Sequence, residues 1–291
     1  MPWSEFALLR AADVSFGYGD SPVVRGVSLD VARDGFVGVI GPNGSGKTTL
    51  LRLLAGTRMP DTGSVLLDDV SLRTLPRAEI ARRMAVVPQE THLAFEYSVL
   101  EVVLMGRYPH LGAFAIEGPK DIEVARNALA STGTLDLQSR AFSTLSGGEK
   151  QRVIIAAALA QITDGRLKPA TTDGGRLKPA STAVGAGFSR LSMLLLDEPT
   201  AALDLKYQLE VASLLRSLHA SHGLAIVVST HDLNFAAGLC RTLVMLKQGR
   251  VLAAGPVDEV LTPARIRELY DVNAEVTRHA VTGHLMVTPL P

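Results

Sequence analysis

The chain has 291 residues, with 29 Lys+Arg against 29 Asp+Glu and so no formal net charge. At roughly 150 residues per domain, that length admits one large domain or two, ample for a buried core. A hydrophobic share of 47% with 20% charged residues excludes wholesale disorder, and the even balance supplies no global basic field for nucleic acid. A single cysteine, Cys240, cannot form an internal disulfide and fits a reducing compartment. Apolar runs such as Val153 to Ala160 fall far short of the roughly 20 residues that span a bilayer. The start, Met1-Pro2-Trp3-Ser4-Glu5, lacks a basic region followed by an apolar stretch, so no signal peptide is expected and the chain reads as soluble and cytoplasmic.

In chain order, Leu8 to Phe16 and Val23 to Val31 read as strands around a turn-rich break. A short apolar strand, Phe36 to Ile40, runs into a glycine-rich loop and then a helix with leucines at 50, 53 and 54 that stops at Gly56. Strand signals follow at Gly63 to Asp68 and Ala85 to Val87, around a helix over Pro76 to Met84. Residues 98–160 look mainly helical, with starts at Ser98, Asp121 and Ser146. The α/β alternation resumes with strand Met193 to Leu196, a helix over 204–219, strand Leu224 to Ser229 and a helix from Asp232. Short strands, a helix over Pro263 to Tyr270 and a hairpin turning at Thr282-Gly283 close the chain. The pattern predicts an α/β core with a largely parallel sheet, an N-terminal antiparallel β subdomain and a helical subdomain.

One segment breaks the alternation. Residues 164–169 read DGRLKP and 173–179 read DGGRLKP, a tandem near-duplication without apolar periodicity, expected to be an exposed, mobile loop. It reads either as a tolerated insertion or, since each copy carries Arg and Lys, as a basic contact site.

Three motifs carry chemistry. Gly41-Pro42-Asn43-Gly44-Ser45-Gly46-Lys47-Thr48, followed by Thr49, lies between a strand and a helix and fits a phosphate-binding loop. Its glycines let backbone N–H groups converge on phosphate, Lys47 can reach the β- and γ-phosphates, and the Thr48 hydroxyl can ligate Mg²⁺. The apolar strand Met193 to Leu196 ends in Asp197 and Glu198. An acidic pair there can be a solvated turn, but below a phosphate loop Asp197 is placed for the Mg²⁺ shell and Glu198 to orient or deprotonate the attacking water. Leu145-Ser146-Gly147-Gly148-Glu149 opens a helix with capping-box spacing between Ser146 and Glu149. The box does not account for the two glycines, whose bare N–H groups can face an anion, which hints at a partner's nucleotide.

Taken in order, GPNGSGKTT, LSGGE, LLLDEPT, AALD and STHD resemble the ATP-binding subunits of ABC transporters, over about residues 6–290 apart from the duplicated segment. The resemblance implies a head-to-tail dimer with two ATP molecules, each held between one copy's phosphate loop and the other's Ser146, Gly147, Gly148 and Glu149. It matches Tyr18 to an aromatic that stacks on adenine, and Gln89 to a residue touching Mg²⁺ and water while sensing the membrane partner. Asp204 matches a loop crossing the dimer interface, and His231 a switch histidine at the γ-phosphate. The family often carries an arginine where this chain has Ala157.

Residues Leu100 to Leu111, with Arg107-Tyr108-Pro109-His110, are similar to importers of iron chelates and cobalamin, where this region faces the permease. The expectation is thus one ABC ATP-binding domain over 1–291, with a helical signature subdomain at 90–160, a flexible insertion at 162–190 and a C-terminal extension at 255–291. It would be the ATPase of a type II importer, peripheral at the cytoplasmic face of the inner membrane. Its implied partners are a second copy of itself, permease subunits and, indirectly, a substrate-binding protein, with no nucleic acid. A non-transport ABC ATPase acting on a macromolecular complex is the alternative. His92, His219, His222, His279 and His284 form no convincing metal-ligand set, and Cys240 is expected to pack in a helix.

Overall fold

A computed structural model describes residues 7–91, 93–164, 172–173, 176–177 and 192–291. The chain divides into two compact units, Met1–Leu75 with Leu196–Glu198 and Ala225–Pro291, and Pro76–Leu195 with Pro199–Leu224.

The first unit begins with β1 (Ala7–Tyr18) and β2 (Ser21–Ala32), antiparallel with Phe16 opposite Val24 and Tyr18 opposite Ser21. Next come β3 (Phe36–Ile40) and α1 (Lys47–Leu54), then β4 (Thr62–Leu67) and β5 (Val70–Ser71). β4 pairs antiparallel with β1 and β5 with β4, giving a four-stranded sheet in the order β2-β1-β4-β5. Every residue of β3 is buried, as expected of a parallel strand covered on both faces.

The second unit is mainly helical. It holds α2 (Arg77–Arg83), β6 (Met84–Val87), α3 (Val99–Leu104), a 3₁₀ turn over Met105–His110, α4 (Pro119–Ser131) and α5 (Gly147–Ile162). α4 starts at Pro119 rather than Asp121, because proline is preorganised for the first helical position. The first two helices and α4 supply apolar faces that close on Val153, Ile155, Ala156 and Leu159 of α5. The expected loop at 164–187 falls largely outside the described residues; within it β7 (Thr172–Asp173) and β8 (Arg176–Leu177) pair antiparallel. β9 (Met193–Asp197) follows, fully buried, and α6 (Leu205–His222) ends in a left-handed Gly223 cap.

The chain then returns to the first unit with β10 (Ala225–Thr230), α7 (Leu233–Leu239), β11 (Thr242–Lys247) and β12 (Arg250–Pro256). β10 and β11 both run parallel to β3, placing Thr230 and Met245 opposite Ile40. Parallel strands bring their carboxyl ends to one edge, the edge where open α/β sheets bind ligands. α8 (Val257–Val260), α9 (Pro263–Tyr270), β13 (Ala274–Arg278) and β14 (Leu285–Pro289) complete the unit, the last two as a hairpin. Cys240 is not within a helix: it caps α7 at its C-terminal end, packed where a Cβ on Gly38 would sit. Burial drives its thiol far above the usual range, so it acts as a small apolar side chain. Among the described residues, no helix is long and apolar enough to cross a membrane.

Candidate functional site

The phosphate loop leaves the carboxyl end of β3 and turns into α1 at Gly46, whose φ of 103° suits glycine alone. Gly41 is required for a different reason: a Cβ there would lie 2.2 Å from the Leu246 carbonyl oxygen. Asn43 and Gly44 stay exposed, Pro42 and Thr48 are half-buried, and Ser45, Lys47 and Thr49 are buried. Lys47, whose side chain is 5% exposed, donates from Nζ to the carbonyls of Gly41 (2.8 Å) and Pro42 (3.2 Å) and faces Glu198 Oε1 at 3.4 Å. The Ser45 hydroxyl is buried without a hydrogen-bond partner. An orphaned donor inside a ring of turned amides at a helix start is what a bound anion would satisfy.

At the neighbouring strand ends, Asp197 closes β9 and takes the Ser229 hydroxyl on Oδ1 at 2.5 Å. Glu198 has a φ of 45°, a left-handed conformation costly for a side-chain-bearing residue, and its N–H donates to the Ser229 carbonyl (3.0 Å) and hydroxyl (3.2 Å). Its carboxylate is only 11% exposed and bridges two partners, the Lys47 ammonium on Oε1 and His231 Nδ1 on Oε2 at 3.1 Å. An ionised carboxylate only accepts, so this bond assigns the imidazole proton to Nδ1. His231 itself is 57% exposed, just beyond β10. Residues from three distant stretches of the sequence therefore meet at one edge: Lys47, the Asp197-Glu198 pair and His231. Ser229, which ties both acids, was given no role of its own from the sequence; its place at the head of the STHD motif, two residues before His231, was the available signal.

Tyr18 ends β1, exposed and set edge-on to Phe16 with ring centroids 5.0 Å apart. Slight burial raises its phenol, but hydrogen bonds from Thr49 and Arg52 and the charges of Arg52 and Arg58 outweigh this and hold it below its ordinary value. Tyr270, at the end of α9, is a second residue the sequence did not reveal. Burial, with the negative charges of Glu198 and Asp232, pushes its phenol up to about 12. The Gly41 backbone pulls the other way without completing a hydrogen bond to the buried hydroxyl.

The remaining expected site residues belong to the second unit. Gln89 is exposed just after β6, and Asp204 is the exposed N-cap residue of α6. Ser146 N-caps α5: its Oγ accepts from Glu149 N–H (3.3 Å), and Glu149 Oε2 accepts from Ser146 N–H (2.8 Å). That backbone bond, with the Ser146 hydroxyl and the Arg140 and Arg152 charges, holds the Glu149 carboxyl below its ordinary value. The two glycines differ. Gly147 is exposed, as an anion contact requires, whereas Gly148 is buried beneath Tyr207 of α6, whose ring would lie 2.3 Å from an added Cβ. Packing within one chain thus gives Gly148 a reason to be glycine beyond the expected contact of its N–H with an anion.

Within the importer-like segment, Arg107 does not face outward. Only 3% exposed, it pairs with Asp121 (3.0 Å) and donates to the Ala160 and Thr163 carbonyls at the end of α5 (2.6 and 3.0 Å). Tyr108 beside it is 60% exposed, and His110 Nε2 meets the Gln161 carbonyl at 2.7 Å.

No cluster of three or more His, Cys, Asp or Glu suited to a metal exists among the described residues. Thr48 and Asp197 nevertheless fit Mg²⁺ of the kind that takes one or two protein oxygens and otherwise substrate phosphates. Ser229 occupies Oδ1 of Asp197, and Oδ2 is the oxygen such an ion would use.

The chain is similar to known proteins of one family. The family model described as ABC transporter matches residues 24–164. The hemin import ATP-binding protein HmuV of Bordetella pertussis is 38% identical over 282 residues, spanning 96% of this chain and 98% of that protein. The cobalamin import ATP-binding protein BtuD of Halobacterium salinarum is 40% identical over 260 residues, 89% of this chain, and here the chain spans only 58% of the relative. Among solved structures, an inward-facing putative metal-chelate type ABC transporter is similar with a TM-score of 0.78 at 27% identity, covering 98% of both chains.

Proposed function

Because the chain belongs to the ATP-binding subunits of ABC transporters, we propose that it hydrolyses ATP to power a type II importer, moving an iron chelate (siderophore or haem) or cobalamin through a separate membrane permease. The observation that carries this reading is the convergence of Lys47, Glu198 and His231 beside the phosphate loop. The names of the hemin and cobalamin relatives support the cargo class.

In this reading the amides leading into α1 and the Lys47 ammonium hold the triphosphate, and Tyr18 supports the adenine. Glu198, fixed by its backbone bonds to Ser229, accepts a hydrogen bond from the attacking water and orients it toward the γ-phosphorus. Lys47 and His231 flank Glu198, where negative charge would grow, and Lys47 is buried, where a fixed charge acts strongly. Mg²⁺, held by Thr48 and Asp197 with Gln89 near its shell, would neutralise phosphate charge. A second copy, arranged head to tail, would bring its Ser146, Gly147, Gly148, Glu149 and Asp204 to complete the site. With no membrane-spanning helix described, permease subunits would hold the chain at the cytoplasmic face of the inner membrane, with a substrate-binding protein acting indirectly.

The test is phosphate release and cargo uptake by the chain reassembled with its permease. Glu198→Gln is expected to cut hydrolysis by about 10²–10⁴-fold while ATP is still bound. Undiminished hydrolysis by that variant would overturn the assignment of Glu198.

A further inference from the structure

Asn234 lies in the first turn of α7, two positions beyond Asp232, which caps that helix, and three beyond His231. Its side-chain amide makes a paired contact with the backbone of Val287 on β14: Oδ1 accepts from the Val287 N–H at 2.7 Å, and Nδ2 donates to the Val287 carbonyl at 3.2 Å. β14 belongs to a two-stranded sheet, so among the described residues one of its edges lacks a neighbouring strand. At Val287 a single amide takes the place that a strand would fill, satisfying one donor and one acceptor.

The anchor leads directly to the switch. Asp232 Oδ1 accepts from the N–H groups of Asn234 and Phe235, each at 2.9 Å, and the Asp232 N–H donates to Thr230 Oγ1 at 3.0 Å. His231 sits between those two bonded residues, with an exposed ring and one bond, to Glu198. A helix of seven residues has little stability of its own, so its orientation depends on such tertiary anchors.

We propose that Asn234 is a positioning residue for His231, clamping α7 to the C-terminal hairpin through its amide pair with Val287. The inference rests on the ATPase reading, in which His231 works at the γ-phosphate. Loss of the clamp lets α7 tilt, and Asp232 carries that tilt to His231.

The test uses the full chain as Asn234→Ala and as Asn234→Asp, which keeps the acceptor for Val287 N–H but sets a carboxylate against its carbonyl. Misplacement of a catalytic group lowers kcat by about ten- to a hundredfold, while KM for ATP should stay within about twofold because binding groups are untouched. The His231 imidazole resonances should shift in both variants, with those of His219 in α6 unchanged. Unchanged His231 resonances, or an unchanged kcat in both variants, would overturn the clamp. If the unaltered protein hydrolyses no ATP, the ATPase reading has failed instead, and the resonances still decide the clamp.

Discussion

The signature turn at the start of α5 and the acidic edge around Glu198 both use a carboxylate to organise backbone, yet they are built in opposite ways. Ser146 and Glu149 bond to each other across three residues, on an exposed surface. Glu198 is largely buried and meets Lys47, Ser229 and His231, partners that only the fold brings near. A local motif is insured by its own spacing and loses little when altered. A buried, long-range cluster places several groups at risk together, because each removal strands a charge away from water.

That contrast can be broken or sharpened by substitution. Arg107 is the strongest challenge, since it shares a unit with the signature turn but is buried and long-range in its bonds. If burial governs the cost, Arg107→Met should destabilise by about 3–5 kcal/mol in chemical denaturation, through unpaired Asp121 and carbonyl groups. A loss near that of an exposed cap would show that burial is not what matters. Lys47→Met should lower ATP turnover by about 10²–10³-fold, roughly 3–4 kcal/mol of transition-state stabilisation, measured as phosphate release.

Smaller effects lie at the helix start. Gly148→Ala forces a Cβ into the Tyr207 ring, and overpacking of about 1–3 kcal/mol should exceed the helix-propensity gain of up to about 1 kcal/mol. A raised melting temperature would instead show that α6 yields. Ser146→Ala should cost about 1 kcal/mol of stability through the lost cap.

The smallest signal is in acid. Asp121 is raised by desolvation, but bonds from Gly118 and Arg107 with the Arg107 charge outweigh this and hold its carboxyl below the ordinary range. Its stabilisation is therefore complete above about pH 4 and is lost as pH falls through the lower folded value. Acid titration of Arg107→Met should show that component diminished, with the Gly118 share remaining; an identical acid profile would mean that the pair does not contribute to it.

Much of the molecule was legible in its residues. The buried runs of β3, β9 and β10, the glycine loop before α1, the cap at Ser146 and the helix over Pro263 to Tyr270 all follow from period, capping and turn chemistry, which operate within a few residues. Other features were not. Arg107 read as part of an outward-facing segment because nothing local announces the carbonyls at the end of α5. The packing of Gly148 under Tyr207 stayed hidden because Tyr207 lies on another helix. Ser229 stood in the STHD motif with no role of its own, and Tyr270 and Asn234 had no motif at all.

The sequence alone thus determined which elements form, their order, and which side chains could bind phosphate or polarise water. Tertiary structure decided which partners those side chains meet: Ser229 for both acids, Lys47 and His231 for Glu198, and Val287 for Asn234. The physical reason is range. Backbone periodicity and capping are settled by neighbours along the chain, whereas the burial and pairing of a charge depend on strands and helices that only folding brings together.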